Sequence, residues 1–250
     1  MNEIIVDKSD TRKIIDCVLK NGVALIPKFF SEDTIQKMDK ELSGIWEEIS
    51  LKEQRSITGV GQDLLTKNSY KSGKVVRVSP QAYSMIPEVS TAFVLNSKLN
   101  QIVDTFYGSP NNKFMQIFAY HDTLTRNEEW VDGVTHSAAL HFDPYQSLKF
   151  ATYLTSTSDQ NGMTSVIPGS QNEGKYFREN VLKSTKWKGQ DVLNCHEPFS
   201  KSKYETSDAI CPSVDAGDLL IFDTDAWHAG GEIKSLGLER KAIIVHNRAN

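Results

Sequence analysis

Short runs of apolar and β-branched residues, separated by turn residues, fill the second half of this sequence. Each run has the length of a typical strand. The runs cover residues 114–120, 140–143, 148–155, 164–167, 218–222 and 241–245. Many short strands with turns between them are typical of antiparallel sandwiches and barrels. We therefore expect an antiparallel β core over about 113–247, and a double-sheet jelly roll is its best specific form.

The first part of the chain, about 1–110, carries helix signals instead. Residues 11–20 can form a short helix, and 23–26 is a short apolar strand. Ser31 is placed to cap a second helix, and a third helical region covers 87–106. Apolar residues follow Ser31 at helical spacing: Ile35, Met38, Leu42, Ile45 and Trp46. Helices followed by strands predict an α+β, mainly β architecture.

Composition limits the organisation and the partners of the chain. Its 250 residues contain no linker or repeat, so 1–250 is predicted to be one domain, with 169–212 as a loop-like lid. A net charge of −4 argues against a nucleic-acid partner. The sequence has no apolar run of membrane-spanning length, so no membrane partner is expected. Three cysteines without paired spacing indicate reduced thiols and a cytoplasmic location, while the oligomeric state is not specified.

His141 and Asp143 are the most informative pair of polar residues. Side chains two apart in a strand point to the same face, so both can reach one metal ion while Phe142 points away. His228, at the end of an apolar strand and turn, can supply a third ligand. Two imidazoles and one carboxylate leave three coordination positions open, as in non-haem Fe(II) oxygenases. We refer to these three residues as the His–Asp–His triad.

Arg240 lies twelve residues after His228, at the head of an apolar strand. Its period-two companions are Ala242 and Ile244, so its guanidinium is expected to face a mostly apolar interior. A buried arginine without a carboxylate partner is costly, and a guanidinium suits a dicarboxylic cosubstrate. The combination of the triad with Arg240 is far more specific than a single His-x-Asp motif.

The sequence resembles the phytanoyl-CoA dioxygenase (PhyH) family of Fe(II)/2-oxoglutarate-dependent oxygenases. Four segments carry the resemblance, and their order and spacing agree over about 20–247. They are Asn-Gly-Val-Ala-Leu-Ile-Pro-Lys-Phe-Phe-Ser at 21–31, Leu-His-Phe-Asp at 140–143, Asn-Gly-Met-Thr-Ser-Val-Ile-Pro-Gly-Ser at 161–170, and 217–228 together with Arg240.

The resemblance implies a double-stranded β-helix of the jelly-roll, cupin-like type with N-terminal and flanking helices. It implies Fe(II) on the His–Asp–His triad, and 2-oxoglutarate bound to the iron with its distal carboxylate on Arg240. Arg77, on an early strand, and Gln116, on the strand before the metal motif, match positions that lie near the cosubstrate in the family. Both also have a purely structural explanation. Arg77 could be a solvated charge on an edge strand, and Gln116 a sheet residue whose side-chain hydrogen bonds are made within the fold.

The residue two after the last metal histidine departs from the family pattern, and the residue at 143 indicates the type of reaction. The family often has Ser or Thr two residues after the last metal histidine, and this chain has Gly230. Arg240 would then work with another hydroxyl, such as Thr155 or Tyr153, or alone. A carboxylate at Asp143, where Gly or Ala would suggest a halogenase, implies hydroxylation or another C–H oxidation. The co-products from O2 and 2-oxoglutarate would be succinate and CO2.

Four residues near the motifs are candidates for contact with a small-molecule substrate: Tyr120, His136, Tyr145 and Trp227. Core packing is the alternative for the aromatic ones. His246 shares a face with Arg240 but is expected to be a side chain at the end of the sheet. Two other functions stay open on the residues alone, namely a cupin-like metalloenzyme that does not use 2-oxoglutarate and a non-catalytic jelly-roll binding protein. The spacing between His228 and Arg240 argues against both.

Overall fold

The structure is a computed structural model. It describes residues 2–49, 65–70, 73–109, 113–123, 140–184, 201–231, 233–234 and 237–248. The helices are α1 (Thr11–Asn21), α2 (Glu32–Glu47), α3 (Pro87–Phe93), α4 (Ser97–Tyr107) and α5 (Gln171–Ser184). The strands are β1 (Val23–Ile26), β2 (Leu65–Tyr70), β3 (Gly73–Val78), β4 (Lys113–Thr123), β5 (Leu148–Tyr153), β6 (Ser165–Val166), β7 (Leu219–Asp223), β8 (His228–Ala229) and β9 (Glu239–Arg248). No helix in these ranges combines the length and the apolar character needed to cross a membrane.

Local signals explain the ends of the N-terminal helices. The Ser31 hydroxyl accepts a hydrogen bond from the Thr34 amide at 3.2 Å, which caps α2. Helix α1 ends at Gly22, whose φ of 74° is in the left-handed region that glycine adopts at little cost. The predicted apolar face of α2 is buried through Ile35, Met38, Leu42 and Trp46, so this helix packs on the sheet as its periodicity indicated.

The large sheet has seven antiparallel strands in the order β1-β7-β5-β9-β4-β3-β2. The second sheet pairs β6 with β8, and single bridges extend it from His141 to His228 and from Val166 to Ile210. Side chains join the two sheets, since the Tyr153 hydroxyl lies 2.7 Å from that of Thr164. Two facing antiparallel sheets form the predicted jelly roll.

Two hydrophobic clusters stabilise this arrangement. The larger lies between the large sheet and helices α1 to α4, and it includes Trp46, Phe93 and Phe150. The smaller lies under α5 and contains Phe142, Phe177 and Trp227, with Leu140, Ile167 and Ala229 around them. The small sheet is therefore supported from outside by α5, and its other face is directed at the large sheet.

Four local predictions differ from the structure. The helical region 87–106 is two helices, because Asn96 caps a new helix with its side chain on Lys98 and Leu99. The predicted helical part, 1–110, contributes β2 and β3 to the large sheet besides β1, which was predicted at 23–26. Residues 140–143 form only one bridge rather than a strand. The predicted lid, 169–212, begins with helix α5, and its residues 185–200 lie outside the described part of the chain.

Candidate metal centre

The His–Asp–His triad converges in the structure. One ligand atom from each of His141, Asp143 and His228 lies within 4.8 Å of the other two. His141 and His228 are held side by side by reciprocal backbone hydrogen bonds of 2.9 and 2.8 Å. Asp143 Oδ1 lies 3.8 Å from His141 Nε2 and 3.5 Å from His228 Nε2. These three atoms could hold one metal ion.

The ring of His228 is oriented by its own turn. Its Nδ1 lies 2.8 Å from the Ala226 carbonyl oxygen, which can only accept a hydrogen bond. Nδ1 therefore carries the proton, and Nε2 presents a lone pair toward Asp143. Only 4% of the His228 side chain is exposed, so water does not compete with this arrangement.

Asp143 is held as a carboxylate by nearby positive charge. Burial alone would raise its pKa, but the Lys149 ammonium holds the pKa well below its ordinary value. Lys149 Nζ lies 2.8 Å from Asp143 Oδ2. An ionised carboxylate at neutral pH is the form that binds a metal.

Residues next to the ligands turn away from the site, as the period of two predicts. Phe142 and Trp227 pack edge to face at 5.2 Å and belong to the cluster under α5. Trp227 is fully buried, and its indole N–H donates to Glu173 at 2.7 Å. The candidate role of Trp227 in binding substrate does not fit this position, because its ring faces α5 rather than the triad.

Helix α5 holds the loop before His228 in place. Arg178 donates two hydrogen bonds to Asp225, at 2.6 and 2.8 Å. A Cβ added to Gly174 would lie only 1.8 Å from the Asp225 carbonyl oxygen, so the helix and loop backbones approach as closely as glycine allows. The position of the last histidine thus depends on a segment predicted to be loop.

The Arg240 side chain is mostly buried, with 13% of it exposed, and it has a carboxylate partner. Its Nε donates to Asp122 Oδ2 at 2.8 Å, and Nη2 donates to the same oxygen. Nη1 donates to the carbonyl oxygens of Gly162 and Gly231, at 2.7 and 2.9 Å. Burial would lower the pKa of Arg240, and the Asp122 charge raises it instead. Among the described residues, one Nη2 N–H is left without an acceptor.

Tyr120 is a further polar residue on the inner face of the large sheet. Burial raises the pKa of Tyr120 to about 12, and charges on Arg240, Asp143 and Arg77 all act on it. Tyr120 is therefore a neutral phenol at physiological pH and can donate a hydrogen bond to a carboxylate. Tyr120 is two residues before Asp122 in β4, so its side chain lies on the face of the sheet that carries Arg240.

Arg77 and Gln116 lie together on the inner face of the large sheet. With the Gln116 amide oxygen turned toward Arg77, Nε and Nη2 of the guanidinium both donate to it. The Arg77 guanidinium also lies 5.8 Å from the centre of the Phe118 ring. Both residues are on the side of the sheet that carries Tyr120, as expected from a period of two.

The remaining candidates have different positions. The Thr155 hydroxyl accepts a hydrogen bond from the Lys241 amide at 3.1 Å, at the strand end next to Arg240. No hydrogen bond joins Thr155 to Arg240 in the described part of the chain. The Tyr145 ring is half exposed and stacks under the Arg248 guanidinium at 4.4 Å. His136 lies outside the described residues.

Comparison with known proteins now identifies the family. The family model for phytanoyl-CoA dioxygenase (PhyH) matches residues 18–242. The chain belongs to the phytanoyl-CoA dioxygenase family. A search of curated proteins found no match.

Solved structures similar to this phytanoyl-CoA dioxygenase family member include a carbocyclase. SnoK, a non-haem α-ketoglutarate-dependent carbocyclase from nogalamycin biosynthesis, has a TM-score of 0.64 and 18% identity, covering 96% of this chain and 84% of that one. AviO1 from Streptomyces viridochromogenes Tue57 has a TM-score of 0.60 and 16% identity, covering 96% and 95%. EvdO2 from Micromonospora carbonacea var. aurantiaca, complexed with 2-oxoglutarate, has a TM-score of 0.55 and 13% identity, covering 95% and 91%. At these identities the likeness establishes the fold.

As a member of the phytanoyl-CoA dioxygenase family, the chain is an oxidoreductase that depends on iron and 2-oxoglutarate. The donor set fits both groups. Two imidazoles and one carboxylate suit Fe(II) and leave positions for a chelating cosubstrate. The buried Arg240 and the neutral Tyr120 supply donors for a carboxylate.

Sequence reasoning missed two polar residues of this site and misplaced a third. Lys149 and Asp122 were not singled out, although a lysine inside an apolar strand was a visible signal. His246 is directly opposite both Gln116 and Lys149 in the sheet register, so it lies on the site face rather than being a plain sheet-end residue. Burial, followed by the Lys149 charge, holds the pKa of His246 well below its ordinary value.

Proposed function

We propose that this protein oxidises a C–H bond of a small molecule at an iron held by His141, Asp143 and His228. The convergence of these three ligand atoms within 4.8 Å, together with the hydrogen-bonded Arg240 and Asp122 on the large sheet, carries the proposal. The four further positions proposed for the cosubstrate are Arg240, Arg77, Gln116 and Thr155. Hydroxylation is the simplest outcome for a site with a carboxylate ligand.

Iron and 2-oxoglutarate, when bound, supply the oxidising power, with succinate and CO2 as co-products. The protein's part is to bind, orient and exclude water. His228 presents its Nε2 lone pair because Nδ1–H is held by Ala226. Asp143 stays ionised, so no proton has to leave before the metal binds.

Arg240 is proposed to bind the distal carboxylate of 2-oxoglutarate through the Nη2 N–H that its partners leave available. Asp122 and the two glycine carbonyls fix the guanidinium, so little rotational freedom is lost on binding. Tyr120 is proposed to donate a second hydrogen bond. Tyr153 or Thr155 is proposed to take the place of the missing Ser or Thr. Tyr153 is opposite Ala242 in the register, on the face of the sheet that carries Arg240, and its hydroxyl contacts that of Thr164.

Arg77 and Gln116 are proposed to form a second polar contact for the cosubstrate on the same sheet face. The substrate is proposed to enter on the side where Tyr145 is exposed. The structurally similar SnoN has been solved with Fe3+, α-ketoglutarate and nogalamycin RO, which supports a small molecule as the substrate class.

An anaerobic titration with Fe(II) and 2-oxoglutarate tests the proposal. The wild-type protein should develop the weak visible charge-transfer band of the iron chelate, and His141→Ala should abolish it. The double variant Arg240→Met with Asp122→Val removes the buried pair without leaving an unpaired charge. It should retain metal but bind 2-oxoglutarate about 10- to 100-fold more weakly.

The neighbouring Lys241 provides a matched control, because its ammonium pairs with Asp39 at 2.9 Å outside the site. Lys241→Met should leave the chelate band unchanged. If iron-loaded wild-type protein shows no band, the proposed use of 2-oxoglutarate at this site is wrong. If the double variant forms the band with wild-type affinity for 2-oxoglutarate, Arg240 does not bind the cosubstrate.

A further inference from the structure

Lys149 is a buried lysine inside an apolar strand. All six residues of β5 are buried, and only 8% of Lys149 is exposed. Its strand neighbours in the register are Phe222 and His246, neither of which carries a negative charge. Burying an ammonium is costly unless an acid compensates it. Among the described residues, the one acid that forms an ion pair with Lys149 is Asp143.

The two oxygens of Asp143 have different surroundings. Oδ1 faces both imidazoles, at 3.8 Å from His141 Nε2 and 3.5 Å from His228 Nε2. Oδ2 faces Lys149 Nζ at 2.8 Å. Lys149 Nζ also lies 3.5 Å from His228 Nε2, so its charge is at the edge of the metal position. One carboxylate oxygen is thus directed at the metal position and the other is occupied by a cation.

We propose that Lys149 is a positioning residue that keeps Asp143 a one-oxygen ligand, so that three coordination positions stay open. A carboxylate can bind a metal through one oxygen or through both. Binding through both would take a fourth position and leave too few for a two-point cosubstrate and O2. The ammonium prevents this by holding Oδ2. This inference rests on the proposed function of the triad.

The proposal has an electrostatic consequence that separates it from a purely structural role. A positive charge this close to the site opposes the binding of a divalent cation. Removal of the charge should therefore strengthen metal binding, while the freed Asp143 oxygen takes a position that 2-oxoglutarate needs. A lysine that only supported the fold would, when removed, weaken both binding steps together.

The test compares Lys149→Met, Lys149→Arg and the control Lys241→Met with the wild-type protein. Co(II) titration followed by visible absorption measures metal affinity, and the anaerobic Fe(II) chelate band measures 2-oxoglutarate binding. We expect Lys149→Met to bind Co(II) about tenfold more tightly. It should bind 2-oxoglutarate about tenfold more weakly, as expected when one good contact is lost. Lys149→Arg keeps a cation on Oδ2 and should restore both values toward wild type.

The outcomes separate a failure of the proposed function from a failure of the proposed role of Lys149. If wild-type protein forms no chelate band, the proposed function fails. If wild type forms the band and Lys149→Met matches wild type in both titrations, or loses metal affinity, the role of Lys149 is refuted and the proposed function stands. Should Lys149→Met not fold, Lys149→Gln carries the same comparison, since it is also uncharged.

Discussion

Replacing Asp122 by asparagine should destabilise the protein strongly, because Asp122 is the buried partner of Arg240. Asp122 is 2% exposed, and its Oδ2 accepts hydrogen bonds from both Nε and Nη2. Removing one charge of a buried pair costs about 3–5 kcal/mol. Asparagine keeps one acceptor oxygen at this position, so we expect the free energy of unfolding to fall by about 3 kcal/mol, the lower end of that range. For a chain of this size, that lowers the Tm by about 6–12 °C.

Thermal unfolding followed by circular dichroism measures this effect, with Asp39→Asn as the control. Asp39 pairs with Lys241, the residue next to Arg240, but its side chain is 37% exposed. Such a pair contributes about 1 kcal/mol or less, so the control should lower the Tm by less than about 4 °C. If Asp122→Asn unfolds at the same temperature as Asp39→Asn, the ion pair of Asp122 with Arg240 does not stabilise the protein.

Three further changes test other parts of the structure. Burial raises the pKa of Asp223 to about 6, above its unfolded value, so wild-type stability should fall by up to about 3 kcal/mol as pH rises from about 4 to 7. Asp223→Asn should remove this slope in thermal unfolding scans across that range, and an unchanged slope would contradict the assignment. In urea unfolding, Gly162→Ala should lower the free energy of unfolding by about 2 kcal/mol more than Gly108→Ala does. Both glycines have a positive φ, but only at Gly162 would an added Cβ meet other atoms, at 2.9–3.0 Å. Trp227→Phe should lower the free energy of unfolding by about 2 kcal/mol in the same assay, because it loses the hydrogen bond to Glu173 in α5. It should leave the affinity for 2-oxoglutarate unchanged, and a weaker affinity would show that Trp227 contributes to the site.

Local patterns in the sequence were sufficient to predict the class of fold. The cap at Ser31 and the helical spacing after it gave α2 its position, and the short runs after residue 113 marked most strands of both sheets. The break at Asn96 and the helix that begins at Gln171 were missed. The break at Asn96 is a local cap, with the Asn96 side chain accepting hydrogen bonds from the Lys98 and Leu99 amides. The helix that begins at Gln171 has a weak apolar period, so tertiary packing decides that element.

The sequence by itself also determined which residues form the triad. His141 and Asp143 are two apart, so any extended backbone directs them to one face, and the spacing from His228 to Arg240 completed the pattern. Each of these spacings acts over a few residues, whereas the meeting of His228 with His141 and Asp143 depends on the backbone bridge between residues 141 and 228.

Only the tertiary structure decided how the triad and Arg240 are held. Asp122 and Arg240 are 118 residues apart in sequence and meet because β4 and β9 pair in one register. Lys149 reaches Asp143 only because the two sheets face each other. Pairings of this kind depend on strand order and on desolvation, since a buried charge must find its partner wherever the fold brings one close. No local pattern encodes them.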